Sequence, residues 1–201
     1  MDNHYITFVD IQHEKREVKL FIDGDAITIG LTDFEENEIP QSGTIDDLTF
    51  DLIKQFELKL NCMKKAVKAL SYSALNSFKL KQKLLKDFPY EIVCEVVSTL
   101  STKKYIDDEY LALRAAESYC YGKLYGPQKI RLQLRTKGFK TSEIDDALAN
   151  IPEEDFFSNM KKLQIKKLKS YDEEFETDLL KELFFKHGYT DSQIYEYLQN
   201  L

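Results

Sequence analysis

A fixed internal repeat constrains this chain of 201 residues more than any other feature. The segment GFKTSEIDDALANI, from Gly138 to Ile151, returns as GYTDSQIYEYLQNL from Gly188 to Leu201. The offset is 50 residues throughout, and Gly, an aromatic residue, Ser, Ile, Leu and Asn recur in register. A fainter copy starts at Asp87, where Ile92 and Val96 stand 52 residues before Ile144 and Leu148. Self-similarity at such a period marks stacked supersecondary units, none of which buries its apolar face alone. The expected fold class is mostly α: tandem three-helix repeats in three modules, with a small β-rich N-terminal extension.

The middle unit can be read helix by helix. Asp107 or Asp108 is placed to cap a helix whose apolar face carries Leu111, Ala112, Ala115, Ala116 and Tyr119. Gly126-Pro127 breaks the chain and opens a second helix, with proline where its missing N–H costs nothing. Ile130 and Leu134 lie one turn apart on the buried side, and Gly138 ends the helix in the left-handed conformation. Ser142, with Asp145 three residues on, is the expected cap of a third helix. Ile144, Ala147, Leu148 and Ile151 supply its stripe. The last unit repeats the plan with Leu180, Leu183 and Phe184, then Gly188, then a Thr190/Gln193 capping box, then Ile194, Tyr197, Leu198 and Leu201.

The first third differs. Tyr5–Ile11, Val18–Ile22 and Ala26–Gly30 are rich in strand formers, and Asp23-Gly24 is a hairpin signal. Three antiparallel strands are expected. Residues 32–44 are acidic, contain Pro40 and Gly43, and read as a loop. Thr44 is then the expected cap of a helix carrying Ile45, Leu48, Leu52 and Phe56. The division reads as 1–61 (β-hairpin or meander plus helix), then modules 62–101, 102–151 and 152–201.

Chemistry is hard to find. There is no GxSxG, no HExxH, no phosphate-binding glycine loop and no dinucleotide fingerprint, so no enzyme is expected. Cys62, Cys94 and Cys120 form no CxxC pair and read as small buried hydrophobes in a reducing compartment. His4, His13 and His187 show no ligand spacing with them, so no metal site is expected. The start Met1-Asp2-Asn3-His4 has no basic stretch leading into an apolar run, and no window approaches a membrane span. A cytoplasmic, soluble chain is the expectation.

Charge is uneven. Residues 1–60 hold 5 basic against 14 acidic side chains, residues 61–150 hold 16 against 10, and residues 151–201 hold 7 against 11. The basic middle points to an acidic partner, against the plainer reading of a solvated helical surface. Arg131 and Arg135 stand four residues apart, away from the Ile130/Leu134 face, and should be exposed together. Lys123, Lys129, Lys137 and Lys140 surround them, with Tyr121 and Tyr125 interleaved. Such a mixture suits a phosphate backbone or an acidic protein groove.

The strings KYIDDEYLA from Lys104, KLYGPQKIRLQLRTKGF from Lys123 and IDDAL from Ile144 resemble the RecX family. That family has a Tyr-Ile-Asp-Asp-like helix start, then Gly-Pro-x-x-Ile-x-x-x-Leu-x-x-Lys-Gly, then Ile-x-x-x-Leu. The resemblance extends to the repeats over 62–201 and to the β-rich extension. It implies binding to RecA and the RecA–DNA filament, restraining filament growth, ATP hydrolysis and strand exchange in SOS-linked DNA repair. It implies no cofactor and no chemistry of the chain's own. The motif positions Tyr105, Asp107, Asp108, Gly126, Pro127 and Gly138 are then mainly structural, and Lys123, Lys129, Arg131, Arg135 and Lys137 are the expected partner contacts. Where many members carry Arg-x-Arg-Ser before the second helix of module one, this chain has Ser71–Ser77 without arginine. That departure and the acidic net charge of −7 argue against strong DNA binding through module one. The competing reading is a stand-alone nucleic-acid-binding helical module. A monomer is expected, with weak direct DNA contact at most.

Overall fold

The computed structural model describes residues 3–167 and 173–201; residues 168–172, inside the range 152–201, lie outside the described residues. The chain divides into two compact units. One runs to Leu75 and resumes over Leu80–Tyr105; the other joins Asn76–Lys79 to Ile106–Leu201.

The first unit opens with strands β1 (His4–Gln12), β2 (Glu17–Ile22) and β3 (Asp25–Gly30). Asp23 and Gly24 both take positive φ, 52° and 93°, as a two-residue hairpin between β2 and β3 requires. Two expectations fail here. Residues 32–44 are not a loop: Leu31–Glu36 form the short helix α1, and Gly43–Ile45 form a fourth strand, β4. Phe34 is the reason for the first, because it is buried under the sheet edge and anchors a single acidic turn. The sheet order is β3-β2-β1-β4, antiparallel throughout, with Tyr5 opposite Thr44. Thr44 is therefore a strand residue, and Asp46 caps the next helix, α2 (Asp47–Tyr72), by accepting from the Thr49 N–H at 2.9 Å.

The inner face of the sheet buries Ile6, Val18, Leu20, Ile22, Ile27 and Ile29 against Ile53 of α2. Helices α3 (Ser77–Leu84) and α4 (Tyr90–Thr102) follow. Lys59 of α2 reaches Asp33 at 3.0 Å and Glu95 of α4 at 2.7 Å, tying three helices of the unit together.

In the second unit the chain runs through α5 (Asp108–Glu117), a π-helical turn (Ser118–Gly122), α6 (Pro127–Thr136) and α7 (Thr141–Ala149). Then come α8 (Glu153–Lys167), α9 (Glu173–His187) and α10 (Asp191–Gln199). The nine helices after α1 thus fall, among the described residues, into three successive triples. One continuous core joins α5 to α10, with Ala112, Ala116, Ile130, Leu134, Ile144, Met160, Leu180 and Phe184 at its centre. The Thr190/Gln193 capping box is present, with Gln193 N–H donating to Thr190 Oγ1 at 3.2 Å and Thr190 N–H to Gln193 Oε1 at 3.1 Å. Ser142 does not cap α7. Lys140 holds that position, and its N–H donates to the Glu143 carboxylate at 2.8 Å. The left-handed turn at Gly138 (φ 83°) starts the new helix sooner than the Ser142/Asp145 spacing suggests. Leu201 also departs from its repeat mate: Ile151 is 5% exposed and Leu201 68%.

The repeat reappears as a repeated joint. Gly126 N–H, at the start of α6, donates to the His187 carbonyl at 2.8 Å. Fifty residues earlier, the Asn76 side chain, at the start of α3, donates to the Lys137 carbonyl at 3.0 Å. Each joint sets the left-handed glycine that ends one second helix, Gly188 or Gly138, against the first turn of the second helix one triple earlier. That is why Asn76–Lys79 belong with the second unit.

Candidate partner-binding face

The basic residues singled out from sequence gather around the π-helical turn and α6. A π turn widens the backbone spiral and leaves carbonyls without their usual partners. Asn159 of α8, almost fully buried, donates to the Cys120 carbonyl at 3.0 Å. Tyr189 donates its hydroxyl to the Leu124 carbonyl at 3.0 Å, where Leu124 holds a positive φ of 57°. Burial pushes the Tyr189 hydroxyl pKa up, so the phenol stays a donor. The irregular stretch 118–125 is thus clamped from α8 and from the turn between α9 and α10.

The clamp presents a stacked pair of rings. Tyr119 and Tyr125 lie 5.9 Å apart, nearly parallel. Lys137 Nζ sits 4.8 Å from the Tyr119 centroid, and Lys129 Nζ 4.3 Å from that of Tyr125. Lys129 Nζ also donates to the Lys186 carbonyl at 2.9 Å. Two of the five expected contact residues are therefore partly held inside the fold. Arg131 is ion-paired with Asp145 of α7. Arg135 and Lys123 are exposed and have no hydrogen-bond or ion-pair partner among the described residues. Arg131 and Arg135 are thus not equivalent: one cation is partly neutralised and the other is free. Tyr121 donates to Asp155 at 2.8 Å, which with partial burial pushes its pKa up to about 12.

The motif residues have structural employment. Asp107 caps α5 by accepting from the Tyr110 N–H at 2.9 Å. Asp108 accepts from the Ser77 N–H at 2.8 Å, tying the start of α5 to the start of α3. Pro127 occupies the first turn of α6. Gly126 and Gly138 form the joints. Tyr105 is exposed on the surface before α5. Sequence reading missed Asn76, Asn159 and Tyr189, whose roles depend on partners 39 to 65 residues away. For Tyr189 alone a signal exists: its repeat mate Phe139 lacks the hydroxyl.

The thiols divide. Burial lifts Cys62 and Cys120 to about 11. Cys94 is only partly buried, contrary to expectation, because its place on α4 turns toward Lys81. A hydrogen bond from Lys81 lowers its pKa. Among the described residues no group of three or more His, Cys, Asp or Glu is gathered as a metal site, and no helix is long and apolar enough to cross a membrane.

Regulatory protein RecX of Lacticaseibacillus paracasei is 24% identical over 149 residues, covering 73% of this chain and 62% of that protein. The RecX of Clostridioides difficile is 26% identical over 103 residues, with coverage of 51% and 49%. That of Limosilactobacillus reuteri is 25% identical over 168 residues, with coverage of 83% and 64%. No family model matches the chain. A crystal structure of regulatory protein RecX superposes with a TM-score of 0.82 at 23% identity, covering 98% of this chain and all of that one. The sequence is similar to RecX proteins, and the fold is that of a RecX structure. RecX from Lactobacillus salivarius superposes at 0.65 and 19% identity, over 72% of this chain. The matches span about half to two thirds of the curated RecX relatives' own length.

Proposed function

We propose that this chain is a regulatory protein that binds RecA and the RecA–single-stranded-DNA filament. In this reading it inhibits filament growth, ATP hydrolysis and strand exchange in recombinational DNA repair. It acts as a cytoplasmic monomer, by contact and not by catalysis. The observation that carries the reading is the RecX likeness through the fold, together with a middle triple whose motif residues build the scaffold and leave cations outward. Lys123 and Arg135 make the first contact with acidic protein or backbone phosphate. Arg131 joins them by exchanging Asp145 for the partner, and Lys129 and Lys137 add field from their places over the tyrosines.

The deciding experiment compares binding to preformed RecA–ATP filaments on single-stranded DNA with binding to the same DNA alone. Strong binding to the filament and weak binding to bare DNA is the expected result. Replacing Arg131 and Arg135 by Glu weakens filament binding about tenfold or more while helicity is kept. Equal binding to both targets, falling steeply with salt, would instead favour a stand-alone nucleic-acid-binding module, for which the stacked Tyr119/Tyr125 pair is the supporting feature.

A further inference from the structure

The 50-residue repeat allows the outer groove between the second and third helices to be compared in two triples of the second unit. Between α6 and α7 the groove is closed by the Arg131–Asp145 ion pair, with Arg135 beside it. At the equivalent positions between α9 and α10 stand Lys181, Tyr195 and Phe185. The buried sides of the helices correspond at three pairs, Ile130 to Leu180, Leu134 to Phe184 and Ile144 to Ile194. The later groove is therefore the same scaffold with its polar clasp replaced by aromatic rings. It is open, with a volume of about 410 Å³. Its floor is Phe185, Ile194, Tyr195 and Leu198. Phe185 is 68% exposed and Tyr195 66%.

Carboxylates outnumber cations at the rim. Glu182 and Asp191 line the groove and have no ion-pair partner among the described residues. The one lysine there, Lys181, is already paired with Asp178 at 3.2 Å. Exposed rings cost free energy in water that a covering apolar group recovers, and two carboxylates with no ion pair among the described residues favour a cation beside it.

We propose that the α9/α10 groove is a docking site for an amphipathic protein helix that carries an apolar anchor flanked by lysine or arginine. The anchor seats between Phe185 and Tyr195 over Ile194 and Leu198, and the flanking cations meet Glu182 and Asp191. This face is separate from the cationic face on α6 and selects the opposite charge.

The test uses the full chain and a fluorescein-labelled Leu/Lys amphipathic peptide of about five helical turns. The comparison peptides carry Glu for Lys, or Ser for Leu. Binding is followed by anisotropy, and the site by amide chemical shifts. Saturable binding of the Leu/Lys peptide is expected, with shifts centred on Phe185, Ile194 and Leu198. The pair Phe185→Ser with Tyr195→Ser lowers affinity about tenfold or more with unchanged helicity. The pair Glu182→Lys with Asp191→Lys lowers it several-fold and removes its salt dependence. Equal binding by the aromatic variant, or by either comparison peptide, overturns the proposal. So does a concentration-dependent dimer in sedimentation that the aromatic variant abolishes, which would make a second copy of this chain the occupant. No RecA is present, so these outcomes stand apart from the filament reading.

Discussion

The two joints of the second unit solve one problem with different materials. At the α6–α9 joint, backbone meets backbone: a Cβ on Gly126 would collide with the Gly188 carbonyl, and one on Gly188 with the main chain of Lys129. At the α3–α6 joint, Gly138 meets the Phe78 side chain, and the hydrogen bond comes from the Asn76 amide instead of a backbone N–H. The ring atoms of Phe78 can turn aside, whereas its Cβ and the main chain met at the later joint cannot. The earlier joint therefore has more room to adjust to an added methyl group than the later one.

Substitution separates them. Gly188→Ala combines a left-handed φ of 81° with a main-chain collision and is expected to cost about 3 kcal/mol or more in chemical denaturation. Gly126→Ala, at an ordinary φ of −76°, tests the collision alone and should cost about 2 kcal/mol. Gly138→Ala should cost less, about 1–2 kcal/mol, and part of that should vanish in a Phe78→Ala background. Equal costs at Gly138 and Gly188, with no relief from Phe78→Ala, would break the comparison.

Asn76→Ala removes two hydrogen bonds at once, the donation to Lys137 and the cap on the Lys79 N–H at 3.0 Å. A loss of about 1–3 kcal/mol is expected, since the Lys137 carbonyl is left without its donor. Thiol labelling sharpens the contrast. Cys94 should react first, at a rate at least about tenfold above Cys62 and Cys120, whose thiols are held protonated at neutral pH. Gly126→Ala should speed labelling of Cys120, which lies in the core shared by α6 and α9, while Gly138→Ala should not. The smallest effect belongs to Arg131→Ala, about 0.5 kcal/mol or less in denaturation, because its pair with Asp145 is solvent-facing.

What could be read in advance follows from how local its cause is. Gly138, Gly188 and Pro127 announce helix boundaries because φ > 0 and a missing N–H are properties of single residues. The stripes through Ile130, Leu134 and Ile144 are legible because burial follows helical spacing. Helix α1 escaped because six residues with one buried Phe34 give no period, and β4 because a three-residue edge strand depends on β1. The π turn has no local signature at all; Asn159 stabilises it from α8 and Tyr189 from the turn after α9. On the candidate face, the cations were visible in the sequence, but the pairing of Arg131 with Asp145 was not, since it crosses from one helix to the next.

The α6–α9 joint also sets a timetable for synthesis. The Gly126 N–H and its acceptor are 61 residues apart, the same span that separates Asn76 from Lys137. On the ribosome, the start of α6 emerges long before the His187 carbonyl that completes it. The middle triple leaves the exit tunnel able to close its earlier joint and unable to close its later one. Its exposed edge is held for a segment not yet made, and chaperone contact or premature termination in that interval would meet a half-finished core.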